Sequence, residues 1–395
     1  MFLQNFPPMG VYETLFKFQD ATGHYMGDVG TKPWAQGFPL TRQLPGGPTL
    51  PLSIDFAATE LKYPNATGNE PLRKAISKYY NQFYGASITE DNVAVFAGGR
   101  PGIFATLLFL QKDVEVVIEE TEYTPYFDKL KILGRSHTIV PSNPGNNFRP
   151  KISDYNKAVK EKGKKTLLIR SNPCNPTGVT MAGQELQDLV NLSMGDDRGA
   201  IIDEAYEFFN ASGPVSAMEH IRNIDDTNLF IIGAATKGLQ VPGMRTGWVI
   251  ASKKHVEIFR NFSSIAMGGV SRPAQVYVAN LLEIERVKQA RNAVVNFYND
   301  QRKAYQEGLA SCGIELCTGE GGFYHWGKLP NGLTAEAFNK RLFKHKAAIL
   351  PGTFCDMHRR GDSGPHGNFI RFSFGPIEPD SYGENIRIIK ECLRG

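Results

Sequence analysis

The segment at residues 233–248 reads Gly-Ala-Ala-Thr-Lys-Gly-Leu-Gln-Val-Pro-Gly-Met-Arg-Thr-Gly-Trp, with one lysine, Lys237, among small and apolar residues. It follows residues 229–232, an apolar run that is typical of a buried strand. Because burial of an ammonium group is costly, we expect the pKa of Lys237 to fall toward neutral. A neutral amine is a nucleophile that forms a Schiff base with an aldehyde. Most lysines are solvated surface charges, so this interpretation depends on the segments around Lys237.

The composition of the chain is that of an ordinary globular enzyme. Its 395 residues are 41% hydrophobic and 21% charged, which predicts a large core with one or two smaller lobes. With 44 basic and 40 acidic residues, we expect no nucleic-acid partner. No apolar run reaches the roughly 18 residues of a membrane span, and no secretory signal is recognisable. The five cysteines lack metal-type spacing, which favours reduced thiols in the cytoplasm and no bound metal.

The order of apolar runs predicts an α/β fold. Continuous Val, Ile and Leu runs are typical of strands that are buried on both faces of a mostly parallel sheet. Such runs occur at residues 93–97, 114–118, 136–140, 166–170, 200–202, 229–232 and 248–251. Helices are predicted at 11–18, 72–83 and 103–110, and a long helical tract covers 275–309. Further strands at 322–326, 348–350 and 369–374 predict a second, smaller lobe.

Three of these strands end in segments that carry candidate site residues. Residues 98–102 read Gly-Gly-Arg-Pro-Gly and open a helix, where bare N–H groups and the helix dipole favour a phosphate. Glycine turns are also common connectors, so this signal is weak alone. Asp203 follows a buried strand, where an unpaired carboxylate is costly and a helix cap is the alternative. Residues 171–178 contain two Asn-Pro steps, which by default form a turn.

Taken in order, these segments resemble those of the aspartate-aminotransferase superfamily, the fold-type-I enzymes of pyridoxal 5'-phosphate (PLP). The resemblance covers roughly residues 55–395. It implies an α/β fold with a mostly parallel, seven-stranded PLP-binding domain flanked by helices at 51–285. An N-terminal arm at 1–50 and a segment at 286–395 would form the smaller α+β domain. One position departs from the family pattern: Ala234 replaces a serine that binds the phosphate in many relatives, and Thr236 is the candidate replacement.

The resemblance implies a role for each residue around the cofactor. Lys237 would form the Schiff base with PLP, and Asp203 would keep the pyridine nitrogen protonated, so that the ring acts as an electron sink. Tyr206 and Asn175 would reach the phenolic oxygen, and Tyr123 would stack on the ring. The implied phosphate ligands are Gly98, Gly99, Arg100, Thr236, Arg245 and, across a subunit interface, Tyr63.

The same resemblance implies how the substrates bind. Arg371, a charge inside an apolar strand, would grip the α-carboxylate of an amino acid or a 2-oxo acid, although an edge arginine that reaches solvent is the alternative. Asn175 and Arg272 are further substrate-binding candidates. A Tyr63 that serves the neighbouring subunit implies a homodimer with shared active sites.

The distal part of the substrate is not fixed by these motifs. Arg272 and the basic residues 358–360 favour an acidic group, whereas Glu13, His24 and Asp28 favour a basic side chain.

Three function classes follow. The leading prediction is amino-group transfer between an amino acid and a 2-oxo acid through Lys237. The alternative is a PLP-dependent β- or γ-eliminase or cyclase, similar to capreomycidine synthase, that makes a modified and even cyclic, arginine-derived amino acid. The acidic and basic groups of the first 50 residues motivate this alternative. A third class, a cofactor-binding regulator, needs a DNA-binding appendage for which the family core leaves no room.

Overall fold

The computed structural model describes residues 2–3, 5–8, 10–160 and 165–394. Its larger sheet has seven strands in the order β1-β7-β6-β5-β4-β2-β3. β7 runs antiparallel to both of its neighbours, and the remaining pairs are parallel. The strands are β1 (Val93–Phe96), β2 (Glu115–Glu119), β3 (His137–Val140), β4 (Thr166–Ser171), β5 (Arg198–Asp203), β6 (Leu229–Ala234) and β7 (Gly247–Ile250). The predicted mostly parallel, seven-stranded sheet is confirmed.

The larger sheet separates two hydrophobic cores. Successive side chains of a strand point to opposite faces. On β1, Val93 and Val95 belong to one core, and Ala94 and Phe96 belong to the other. Because both faces are covered, every residue of β1 is buried, and the strand reads as a continuous apolar run.

Helices cover both faces of this sheet and connect its strands. The N-terminal α1 precedes the sheet, and α2 begins with a proline in its first turn and ends at Gly85, whose φ is 62°. A left-handed residue at this position is the usual way to end a helix. These helices are α1 (Gly10–Thr22), α2 (Glu70–Tyr84), α3 (Gly99–Leu108), α4 (Pro125–Ile132), α5 (Ile152–Lys160), α6 (Gly183–Leu192) and α7 (Lys253–Phe262).

The long helical tract is two helices, α8 (Arg272–Leu281) and α9 (Ile284–Ser311). Glu283 causes the break, because its carboxylate accepts hydrogen bonds from the backbone N–H groups of Glu285 at 3.3 Å and Arg286 at 2.9 Å. This is an N-cap, which starts a new helix. Among the described residues, no helix is sufficiently long and apolar to cross a lipid bilayer.

The smaller sheet is antiparallel and has the order β10-β11-β9-β8. Its elements are β8 (Glu315–Leu316), β9 (Tyr324–Lys328), α10 (Ala335–Phe343), β10 (Leu350–Pro351), β11 (Phe369–Ser373) and α11 (Tyr382–Arg394). The N-terminal segment joins this lobe, since Lys32 bridges to Ala347 and the N–H of Ser373 donates to the Trp34 carbonyl at 2.8 Å. The second, smaller lobe is thus confirmed, and the domain boundaries at residues 50 and 285 stay predictions.

Candidate active site

A cavity of about 410 Å³ lies at the carboxyl edge of the large sheet, where β4, β5 and β6 end. This edge is where open α/β sheets bind their ligands. Gly37 and Tyr324, from the N-terminal segment and the smaller sheet, also line this cavity. Ten of the residues singled out from the sequence line it: Gly99, Arg100, Tyr123, Asn175, Asp203, Tyr206, Thr236, Lys237, Arg245 and Arg371.

Lys237 lies three residues after β6, in the wall of this cavity. Its Nζ donates a hydrogen bond to the carbonyl of Gly37. Loss of solvation, reinforced by the charges of the arginines in the same cavity, lowers the pKa of Lys237 to about 7. A substantial fraction of this amine is therefore neutral at physiological pH, as the sequence led us to expect.

Asp203 is the last residue of β5 and is buried. Its Oδ2 accepts a hydrogen bond from the Tyr126 hydroxyl at 2.7 Å, and its Oδ1 accepts one from the N–H of Ala205 at 3.1 Å. Burial raises the pKa of the Asp203 carboxyl, whereas these two hydrogen bonds oppose the rise. Sequence reasoning missed the contact with Tyr126, because the two residues lie 77 positions apart and no local pattern connects them.

The turn before α3 and Arg245 form a concave polar surface. Gly98 has a φ of 99°, and a Cβ at this position would lie 2.6 Å from Nη2 of Arg245. The positive φ favours glycine here, and a larger residue would also displace the Arg245 guanidinium. Gly99 and Arg100 are the first residues of α3, whose leading N–H groups have no partner within the helix. Together, a helix N-terminus and a guanidinium are suited to an anion.

Thr236 and Ala234 lie in the same wall of the cavity. A methyl group at Ala234 offers no hydrogen-bond donor. Thr236, directly before Lys237, is the residue of this segment that brings a hydroxyl group to the cavity. That Thr236 binds the phosphate in place of the family's serine stays a prediction.

Arg371 lies at the opposite side of the cavity on β11 and is 2% exposed. Its Nη1 donates to Oδ1 of Asn175 at 2.9 Å, and its Nη2 donates to the carbonyl of Ala35 at 2.6 Å. Its Nε is buried and has no hydrogen-bond partner among the residues described. The expectation that Arg371 reaches solvent from an edge strand is excluded, because β11 lies between β10 and β9.

Tyr123 and Arg100 contact each other at the cavity mouth. The Arg100 Nε donates to the Tyr123 hydroxyl at 2.7 Å, and its guanidinium lies 5.7 Å from the centre of the Tyr123 ring. The first turn of α1 adds Val11 and Tyr12 to the same mouth. Neither α1 residue was predicted to belong to the site, because the sequence of a short amphipathic helix does not indicate which distant site it covers.

Tyr63 and Arg272 lie away from the cavity that they were predicted to serve. Tyr63 is 91% exposed, and Arg272 donates from Nε to Oε2 of Glu60 at 2.9 Å. The two lie beside each other, since Nη1 of Arg272 also approaches the Tyr63 carbonyl at 3.4 Å. The structure thus separates them from the cavity residues of their own chain.

The residues that the sequence suggested as ligands of the distal part of the substrate also lie outside the cavity lining. Glu13 pairs with Lys17 at 3.0 Å, and Asp28 accepts from the N–H of Tyr25 at 2.8 Å. In the basic loop, Arg360 pairs with Asp356 at 2.9 Å. The remaining members, His24, His358 and Arg359, likewise do not contribute to the lining.

Among the charged residues of the cavity wall, four are basic and one is acidic. The basic residues are Arg100, Lys237, Arg245 and Arg371, and the acidic one is Asp203. Such an excess of cationic groups around a partly enclosed space favours anionic ligands.

Comparisons with known proteins agree with this geometry. Residues 54–380 match the family model described as aminotransferase class I and II. An aspartate aminotransferase of Pyrococcus horikoshii is 27% identical over 339 residues, which cover 84% of this chain and 83% of that protein. An LL-diaminopimelate aminotransferase of Dehalococcoides mccartyi is 24% identical over 297 residues, which cover 74% and 75%. The solved structure of an aminotransferase from Mycobacterium tuberculosis superposes with a TM-score of 0.81 at 22% identity, covering 99% and 97%.

Proposed function

Because the chain belongs to the aminotransferase class I and II family, we propose that it moves an amino group from an amino acid to a 2-oxo acid with PLP bound in the described cavity. Members of this family depend on PLP. The observation that carries the proposal is the Lys237 amine, which has a pKa of about 7 and shares its cavity with Asp203 and Arg371.

The residues present fit PLP. The backbone N–H groups of Gly98, Gly99 and Arg100 and the side chain of Arg245 would hold the phosphate, and the close approach of Gly98 to the Arg245 guanidinium supports this assignment. Asp203, buried at the strand end, would face the ring nitrogen, and Tyr123 would lie against the ring. Asn175 and Tyr206 would reach the phenolic oxygen. When bound, PLP supplies an aldehyde that condenses with amines and a ring that withdraws electrons from the substrate Cα.

The chain itself supplies the proton movements and the orientation of the substrate. Lys237, when neutral, would accept the proton from the substrate Cα and return it at C4', the carbon of PLP that carried the aldehyde. Asp203 would keep a proton on the ring nitrogen of PLP, and the hydrogen bond from Tyr126 holds the Asp203 carboxylate in place. Arg371, which lines the cavity, would bind the α-carboxylate and so fix the direction of the Cα–H bond.

We further propose that the substrate carries a second anionic group. Lys237, Arg245 and Arg371 are assigned to the amine, the phosphate and the α-carboxylate. The Arg100 side chain then remains at the cavity mouth as a cation for a distal carboxylate. The relatives named as aspartate and LL-diaminopimelate aminotransferases act on amino acids that carry such a carboxylate. The groups that favoured a basic substrate, Glu13 and Asp28, lie outside the cavity lining.

The eliminase or cyclase alternative is not favoured. It was motivated by Glu13, His24 and Asp28, which do not reach the cavity, and the relatives are named as aminotransferases.

A homodimer with shared active sites remains part of the proposal, supported by the exposed Tyr63 beside Arg272. The five free cysteines support a cytoplasmic location.

The test combines a labelling experiment with a substrate screen. Borohydride reduction of PLP-treated protein, followed by peptide mapping, should place the label on Lys237, and Lys237→Ala should remove it. L-aspartate, LL-diaminopimelate and L-arginine are then supplied with 2-oxoglutarate, and the 2-oxo acid products are measured. Label on another lysine would overturn the cofactor site. Consumption of a substrate without formation of glutamate from 2-oxoglutarate would overturn amino-group transfer, and preference for arginine would overturn the acidic substrate.

A further inference from the structure

Tyr324 links the two sides of the cavity. It is the first residue of β9 and is 1% exposed. Its hydroxyl shares a hydrogen bond with the hydroxyl of Tyr206, while the Arg371 guanidinium lies 4.2 Å from the centre of its ring. One side chain thus contacts both the tyrosine assigned to the cofactor and the arginine assigned to the substrate carboxylate.

The hydrogen bond between the two phenols has a direction that matters. Each hydroxyl has one proton to donate and lone pairs to accept. If Tyr206 donated to Tyr324, it would have no proton left for the phenolic oxygen of PLP. If Tyr324 donates to Tyr206, the Tyr206 proton is free to point into the cavity.

The charge of Arg371 favours Tyr324 as the donor. Burial raises the pKa of Tyr324, and the Arg371 charge is the next largest influence and lowers it. Burial raises the pKa of Tyr206 too, but there the next largest influence is Tyr324, which raises it further, and the lowering by the Arg371 charge comes only third. The more acidic phenol is the better donor, so a cation 4.2 Å from the Tyr324 ring polarises the pair toward Tyr206.

The backbone is arranged to accommodate this hydroxyl. A Cβ on Gly37 would collide with the Tyr324 hydroxyl, so the position next to Tyr324 requires glycine. The carbonyl of the same residue accepts the hydrogen bond from Lys237. Gly37 therefore contacts both the hydroxyl of Tyr324 and the amine of Lys237.

We propose that Tyr324 is a positioning residue that donates its proton to Tyr206 and thereby directs the Tyr206 proton to the phenolic oxygen of PLP. This inference rests on the proposed function. Tyr324 would thus act on the cofactor indirectly, through the side chain of Tyr206. The remaining titratable and charged groups that influence Tyr324 or Tyr206 are Tyr123, Arg100 and Arg371, with Lys237 5.9 Å from the Tyr206 ring centre.

The experiment follows the pH at which the absorbance of the Lys237-bound cofactor changes. A hydrogen bond from Tyr206 stabilises the deprotonated phenolic oxygen, so a weaker bond should raise the apparent pKa of this transition. We expect Tyr324→Phe to raise it by roughly 0.5–1 unit, which corresponds to the net value of one hydrogen bond. Tyr206→Phe should raise it further, and Tyr324→Phe should add nothing in the Tyr206→Phe background.

Two further proteins sharpen the test. Replacement of Tyr324 by 3-fluorotyrosine makes the phenol more acidic and a stronger donor, so the apparent pKa should fall. Tyr305→Phe is the matched control, because Tyr305 is a buried tyrosine of the smaller lobe whose hydroxyl accepts from Nδ2 of Asn385 at 2.9 Å. Its removal should leave the spectral transition unchanged.

The outcomes separate this inference from the proposed function. A wild-type protein without any absorbance from Lys237-bound cofactor would overturn the proposed function. A wild-type protein with that absorbance, together with a Tyr324→Phe variant that titrates at the wild-type pH, would overturn the role of Tyr324 alone. Additive shifts in the double variant would show that Tyr324 acts without Tyr206 and would also overturn it.

Discussion

At Lys237, the amine that we propose to bind PLP is buried at a cost to stability. The same loss of solvation that lowers its pKa to about 7 means that folding must remove a proton that the unfolded chain retains up to pH 10.5. Between these two pH values the unfolded state binds more protons at this group. The contribution of Lys237 to the free energy of unfolding therefore rises with pH across this window.

We predict that Lys237→Met stabilises the cofactor-free protein at pH 7. The gain should shrink as the pH rises from about 7 toward about 10, because less proton loss is then required of the wild type. Urea unfolding at several pH values measures the difference in the free energy of unfolding between the two proteins. The contributions of all groups that titrate alike in both proteins cancel in this difference. A gain that is constant over this range would mean that Lys237 remains charged in the folded protein.

Arg371 illustrates how geometry adds to charge. Its guanidinium contacts Asn175 and the Ala35 carbonyl and also lines the cavity, whereas a lysine ammonium cannot reproduce this fork. We predict that Arg371→Lys lowers kcat/KM for the amino acid substrate, and that the decrease corresponds to a loss of about 2–4 kcal/mol in transition-state stabilisation. The control is the decarboxylated amine, which lacks the group that Arg371 binds. Equal losses for the amino acid and the amine would make Arg371 structural.

At the scale of the elements, the seven strands of the large sheet could be predicted from the sequence because most of them contain a short continuous apolar run. The strand ends were less accurate: β2 was expected at 114–118 and covers Glu115–Glu119, because two glutamates are buried within it. Helix α3 begins at Gly99 and not near residue 103, since the glycine turn passes directly into the helix.

The contacts between side chains could not be predicted from local patterns. Tyr126 contacts Asp203 over 77 positions and Tyr206 contacts Tyr324 over 118, so only the folded chain brings them together. The motif residues on the carboxyl edge of the sheet follow strand ends that are visible in the sequence, and the family resemblance singled them out there. The aromatic residues behind them resemble any other core residue.

The turn between β1 and α3 permits a matched test. We predict that Gly98→Ala weakens PLP binding about tenfold or more, because a Cβ there would lie 2.6 Å from the Arg245 guanidinium, displace it and strain a φ of 99°. Gly134→Ala is the control: its φ is 61°, and no heavy atom lies within 4 Å of its added Cβ. Fluorescence titration with PLP should show a loss for Gly98→Ala alone. Similar affinities for both variants would remove this turn from the phosphate site.

At the scale of the whole molecule, two segments outside the cavity expose apolar side chains beside each other. Leu61 and Tyr63 are 72% and 91% exposed, and Ile265 is 88% exposed. The segments pack together, since a Cβ on Gly269 would collide with Pro64. Exposed apolar groups of this size are typical of surfaces that bind another protein. A second copy of the chain is the partner that the shared-site proposal requires.

Mixed dimers decide whether Tyr63 acts across this surface. Chains that carry both Tyr63→Phe and Lys237→Ala are exchanged with wild-type chains, so that each heterodimer has one site able to link PLP to Lys237. If Tyr63 serves the neighbouring subunit, that site lacks the Tyr63 hydroxyl, because its partner chain carries the substitution. Its PLP affinity should then fall several-fold, as expected for the loss of one hydrogen bond to a charged group. Absorbance of the Lys237-bound cofactor reports this site alone. The control chain carries Tyr25→Phe, another exposed tyrosine, with Lys237→Ala. Wild-type affinity in both heterodimers would place Tyr63 within its own subunit or outside the site altogether.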